Sequence, residues 1–199
     1  MYRNFNRFFY LFLIIMSISG CASTLVGGAA SIGLASVQER SIKDAAIDLK
    51  LEVQIQEKLF RTNSGKLFAN VGVTILEQRV MLVGNVESQK LRDLASEIAW
   101  GISPKIKDVL NELTIGDNTS LVSEAKDARI SLSLSGLLIG DAEISDINFS
   151  HSVSKQIIFL IGIAQDTNEL DKVIYHARTV KGVKKVISHL ILKNDKKRM

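Results

Sequence analysis

The 199-residue chain has one cysteine, one proline, one tryptophan and three histidines. A lone thiol excludes a disulfide framework and a cysteine-rich metal site. So little proline, beside 13 glycines, excludes collagenous and low-complexity classes. Long hydrophobic runs are also missing. The one uninterrupted stretch, Phe8 to Ile18, would make a helix of roughly 16 Å, about half the hydrocarbon core of a bilayer. That excludes a polytopic membrane protein. His151, His176 and His189 have no second His or Cys at zinc-ligand spacing. Gly27-Gly28 lacks the Lys-Ser/Thr of a phosphate loop, and Ser131, Ser133 and Ser135 have no base in reach along the sequence. His151 falls in phase with Ile147, Phe149 and Val153, which predicts an inward, hydrogen-bonded imidazole rather than a ligand or a catalytic base. The sequence therefore reads as no enzyme. With 46% hydrophobic and 23% charged residues, it is an ordinary folding protein of one domain or two small ones.

The net charge of +4 and pI near 9.2 suggest nucleic acid as a partner until the charge is located. Residues 1–20 contribute +2 through Arg3 and Arg7, and residues 193–199 contribute +3. The body, 21–192, sums to −1. A nucleic-acid binder carries its excess on a folded face, so nucleic acid is not expected. Within the body the charge is uneven: 116–171 sums to −6, and 172–199, with the basic tail, to +8.

Residues 1–20 have the anatomy of an export signal, with a basic start and a short apolar stretch. The sequence Ile18-Ser19-Gly20-Cys21 follows and resembles the bacterial lipobox. That resemblance implies cleavage before Cys21, a diacylglycerol on its thiol and an acyl chain on its new amino group, with no other cofactor. Ala22, where Asp would suggest inner-membrane retention, implies by the same resemblance the periplasmic face of the outer membrane. Multiple acyl chains, at ~0.8 kcal/mol per buried CH₂, make a stable anchor. Residues 21–42 are then the lipidated cysteine and a tether rich in Ala, Ser and Gly.

An internal repeat sets the architecture. Val80-Met81-Leu82-Val83-Gly84 matches Ile158-Phe159-Leu160-Ile161-Gly162 at an offset of 78. Asp48, Leu51, Ile55 and Leu59 match Asp127, Ile130, Leu134 and Leu138, an acid and three aliphatics on one helical stripe. Each copy reads helix, strand, strand, helix, strand, with Glu77-Gln78 and Lys155-Gln156 as hairpin turns. The fold class is α+β: domain 1 over 43–115, domain 2 over 116–192, and a basic tail over 193–199. In each domain two helices cover one face of a three-stranded sheet.

The acid-led helix, the strand ending in Gly84 or Gly162, and the Gly182-Val183 step resemble the BON domain of bacterial envelope proteins. Two copies behind a lipobox resemble the dual-BON outer-membrane lipoproteins. The resemblance implies a non-enzymatic protein of the periplasmic face of the outer membrane that binds anionic phospholipid and supports envelope integrity. Candidate headgroup cations are Lys172, Arg178, Lys181, Lys184 and Lys185. A second candidate set is Lys126, Arg129 and Leu132, a cation–cation–aliphatic line on the helix of domain 2. The alternative is a tethered adaptor whose sheet face or basic end docks an envelope protein partner.

Overall fold

The computed structural model describes residues 41–62, 69–116 and 120–198. The expected signal, Cys21 and the tether up to residue 40 lie outside the described residues. Helix α1 (Ile42–Arg61) starts where the Ser41 hydroxyl accepts the Asp44 N–H at 3.0 Å. Strands β1 (Val71–Leu76) and β2 (Arg79–Val86), helix α2 (Gln89–Gly101) and strand β3 (Asp108–Ile115) complete domain 1. Domain 2 repeats the order with α3 (Leu121–Gly140), β4 (Phe149–Ser154), β5 (Ile157–Ala164), α4 (Thr167–Thr179) and β6 (Lys185–Leu192), plus a 3₁₀ turn at Asp146–Asn148. Ser120 caps α3 as Ser41 caps α1. In each sheet the hairpin pair is antiparallel and the last strand joins the central one in parallel.

Both hairpins turn through left-handed residues that are not glycine: Glu77 (φ 50°) and Gln78 (φ 63°), Lys155 (φ 52°) and Gln156 (φ 64°). An aspartate holds each turn. Buried Asp48 accepts the N–H groups of Glu77 and Gln78 at 2.7 and 2.9 Å. Asp127 accepts those of Lys155 and Gln156 at 2.8 and 2.7 Å. The acid leading each helical stripe is therefore a latch between the first helix and its hairpin.

Every residue of β2, and all but the first of β5, is buried. Alternate side chains explain it. Val80, Leu82 and Val86 face the helices of domain 1, and Ile158, Leu160 and Ala164 those of domain 2. Met81 and Val83 face the other way, meeting Phe159, Ile161 and Ile163 in a third core completed by Leu76 and Ile191. The layers run helices, sheet, sheet, helices. Helices do cover one face of each sheet, as expected; the second face is covered by the other domain's sheet.

Polar groups rim this third core. Arg79, 3% exposed, donates to the His189 carbonyl at 3.1 Å. Burial lowers its pKa from the ordinary guanidinium value, against the opposing fields of Asp108, Asp195 and Glu77. The His189 imidazole contacts Glu112 of domain 1 at 2.8 Å. Residues 193–198 are not a free basic tail. They turn back onto domain 1, where Arg198 donates twice to Glu77 at 2.9 and 2.7 Å and Lys107 donates to the Arg198 carbonyl.

Candidate functional site

Helix α3 carries two apolar stripes. Ile130, Leu134 and Leu138 enter the domain 2 core with buried Asp127. Leu121, Leu132 and Ile139 are exposed by 82%, 75% and 69%. At 100° per residue those three fall within about 20° of one another, well away from the core stripe. Lys126 and Arg129 are exposed on the same helix.

The loop between α4 and β6 meets this helix. The Arg129 guanidinium lies 3.6 Å from where a Cβ on Gly182 would sit. Gly182 has φ 98°, a left-handed conformation that frees the loop from side-chain bulk. Its neighbours Lys181 and Lys184 are exposed. The backbone N–H of Lys184 donates to the Gln156 carbonyl at 2.9 Å, and Asp127 holds that same turn. Arg129, Lys181 and Lys184, far apart in sequence, thus share one end of domain 2, with Lys126 and Leu132 flanking them on α3.

The other three cations do not join them. Lys172 pairs with Glu143 at 2.7 Å and approaches Asp141 at 3.9 Å, beyond the far end of α3. The hydrogen bond to Glu143 is the main cause of its raised pKa. Asp141 in turn sits below the usual carboxylate range, chiefly through its contact with His176, 2.8 Å away. Arg178 is exposed on α4, about 120° around the helix from Lys172 and on the opposite flank of its core stripe. Lys185 borders an open cleft with Arg92, Glu112 and Ile187 beside the inter-sheet core. Lys184 ends the loop beside α3, whereas Lys185 opens β6 at that cleft, so the two neighbours belong to different surfaces.

The fold does supply Ser131 with a histidine that sequence spacing could not show. Nε2 of half-buried His151 lies 3.0 Å from the Ser131 hydroxyl and 3.2 Å from the Ser131 carbonyl. A carbonyl only accepts, so that second contact makes Nε2 the donor. A nitrogen carrying that proton is not a base for the serine beside it. Burial lowers the His151 pKa from its ordinary value. The unfolded chain then binds more protons below about pH 6.5, and stability should fall as pH drops through that point. In urea titrations at pH 5.5 and 7.5, His151→Gln is expected to flatten part of this loss. An unchanged slope would assign the pH dependence to other groups. Among the described residues no cluster of His, Cys, Asp or Glu is placed to hold a metal, and no helix is long and apolar enough to cross a membrane.

The BON domain model matches residues 47–117 and 126–194. The chain belongs to the BON-domain family. The two matches contain both aspartate latches and both central strands, so the duplicated latch and sheet are two copies of the BON fold. A protein from the gshII 5′ region of Anaplasma centrale is 37% identical over 158 residues, 79% of this chain and 99% of its own length. The outer membrane lipoprotein DolP of Haemophilus influenzae is 23% identical over 170 residues, 85% of this chain and 87% of its own. A 21 kDa hemolysin of Actinobacillus pleuropneumoniae is 24% identical over 151 residues, 76% and 77% of the two chains. These relatives align along both BON domains together rather than along one.

Proposed function

We propose that this chain is a non-enzymatic lipoprotein of the outer membrane, anchored at Cys21 on the periplasmic face. Its second BON domain binds anionic phospholipid and the protein supports envelope integrity. The observation that carries the reading is the approach of Arg129, one helical turn before exposed Leu132, to Gly182 in the loop that carries Lys181 and Lys184. Each such cation near an anionic surface contributes about 1 kcal/mol, and an aliphatic tip adds shallow insertion. Likeness to an outer-membrane lipoprotein along most of both chains supports the address. The donor role of His151 toward the Ser131 carbonyl supports a binding rather than a catalytic protein. An adaptor using an open sheet face is disfavoured, because the faces left uncovered by helices are buried against each other.

Residues 22–199 retain every described contact and suit co-sedimentation with phosphatidylglycerol vesicles. Binding that weakens with salt, and falls about tenfold for Arg129→Glu or Leu132→Glu, is the expected result. Lys172→Glu should have little effect, because Lys172 is already paired with acids. If the unsubstituted protein ignores anionic vesicles, the lipid reading is wrong, and a basic end that docks a protein takes its place.

A further inference from the structure

Helix α1 repeats the outer stripe of α3. Ile42, Leu49, Val53 and Phe60 are all exposed, by 54% to 73%. At 100° per residue they lie within about 40° of one another, on the side of the helix turned away from Leu51, Ile55 and Leu59. The line extends about 27 Å, from one end of the helix to the other. At the offset of the helical repeat, Ile42, Val53 and Phe60 fall on Leu121, Leu132 and Ile139, so both domains keep apolar side chains where packing asks for none. Lys50 falls on Arg129. A large apolar side chain repeated along one exposed line marks a surface that meets something other than water.

We propose that α1 is a second membrane-contacting helix, laid lengthwise on the anionic bilayer surface to which the chain is tethered. The inference rests on the reading above that a lipid surface is the partner, but assigns contact to the first BON domain. Three features favour lipid over a second copy. The stripe begins at Ile42, one residue after Ser41 and only 21 residues after the proposed anchor at Cys21. The charge beside the stripe suits an anionic surface: Lys43 and Lys50 lie along one flank, while Glu57 on that flank is paired with Arg61 at 2.8 Å. On the other flank Glu52 stands half-buried. Gln56 and Ala46 interrupt the line, leaving an apolar ridge one side chain wide, suited to shallow insertion rather than to a helix–helix core.

The test uses residues 22–199 carrying Val53→Glu/Phe60→Glu, with and without Leu132→Glu, on phosphatidylglycerol vesicles. Partitioning is expected to fall about tenfold in either background. The pair Val53→Gln/Phe60→Gln should show most of that loss, which separates removal of apolar surface from added negative charge. All these positions are exposed, so thermal melting should stay unchanged. Partitioning that the α1 variants leave unchanged overturns the proposal, whatever Leu132→Glu does alone. A loss with Leu132→Glu and none with the α1 pair assigns lipid to domain 2 only. A loss with the α1 pair and none with Leu132→Glu keeps this inference and removes the reading of domain 2. A protein that sediments as a dimer without vesicles, and as a monomer once Val53 and Phe60 are replaced, overturns it in favour of a second copy.

Discussion

A Gly84→Ala chain is expected to lose roughly 3–5 kcal/mol of stability, a large share of the few kcal/mol that keep a small domain folded. Two causes act together. Gly84 has φ 140°, a region that residues with a Cβ rarely adopt. An added Cβ would also lie 1.8 Å from the Asn70 carbonyl oxygen and 3.0 Å from its carbon. Those are backbone atoms entering β1, which pairs Val71 with Gly84 itself, so no side-chain rotation relieves the contact. Gly162 in domain 2 provides the control. Its nearest obstacle is the Phe149 ring at 2.5 Å, followed by the Asn148 carbonyl at 2.9 Å. A ring that shifts makes Gly162→Ala the milder change, about 1–3 kcal/mol. Urea unfolding of the two variants should therefore order them clearly. Equal midpoints would mean that β1 moves aside more easily than its pairing implies.

Asp127→Ala is expected to cost about 2–4 kcal/mol, and Asp48→Ala at least as much. Each deletion strands two turn N–H groups. Those turns are already costly, since consecutive non-glycine residues in the left-handed region lose about 1–2 kcal/mol each. Asp48 also accepts the Gln78 side-chain amide at 3.0 Å, which makes its removal the more damaging. Replacing the strained residue should restore part of the loss: Gln156→Gly in the Asp127→Ala background should regain about 1 kcal/mol. Failure to regain any stability would show that the carboxylate does more for the helix than for the turn. Because the Gln156 carbonyl also receives the Lys184 N–H, Asp127→Ala should loosen the loop bearing Lys181 and Lys184. Vesicle binding would then weaken together with stability.

The repeat made the strand order legible, because matched aliphatics, glycines and acids recur at fixed spacing in both halves. The hairpin turns were legible from Glu77-Gln78 and Lys155-Gln156 sitting between alternating strands. Sheet-on-sheet packing was written in the unbroken apolar runs Val80–Val83 and Ile157–Ile163, since a strand buried on one face alone would alternate. Read as return strands of a hairpin, they revealed the helices and not the partner sheet. The aspartate stripe showed helix phase but not the latch, because the contacting N–H groups lie 28 to 30 residues away. Distance in sequence also hid the Ser131–His151 contact and the acids that occupy Lys172. For the candidate site, Leu132 and Arg129 could be placed from helical phase, while the loop that brings Lys181 and Lys184 to them could not. The outer stripe of α1 was as readable as that of α3.

The return of residues 193–198 to domain 1 alters the topology of the whole protein. Asp44, near the start of α1, lines the same cleft as Glu77 and Arg198. The chain path from Ser41 to Arg198 therefore closes nearly on itself, with domain 2 inserted into a ring. Joining those two ends and opening the chain between Gly116 and Ser120 would reverse the domain order while leaving every contact between the sheets in place. Domain 2 is held by covalent connection at one side and by the Arg198–Glu77 clasp at the other. A swing of one sheet away from the other must therefore undo that clasp as well as the apolar seam.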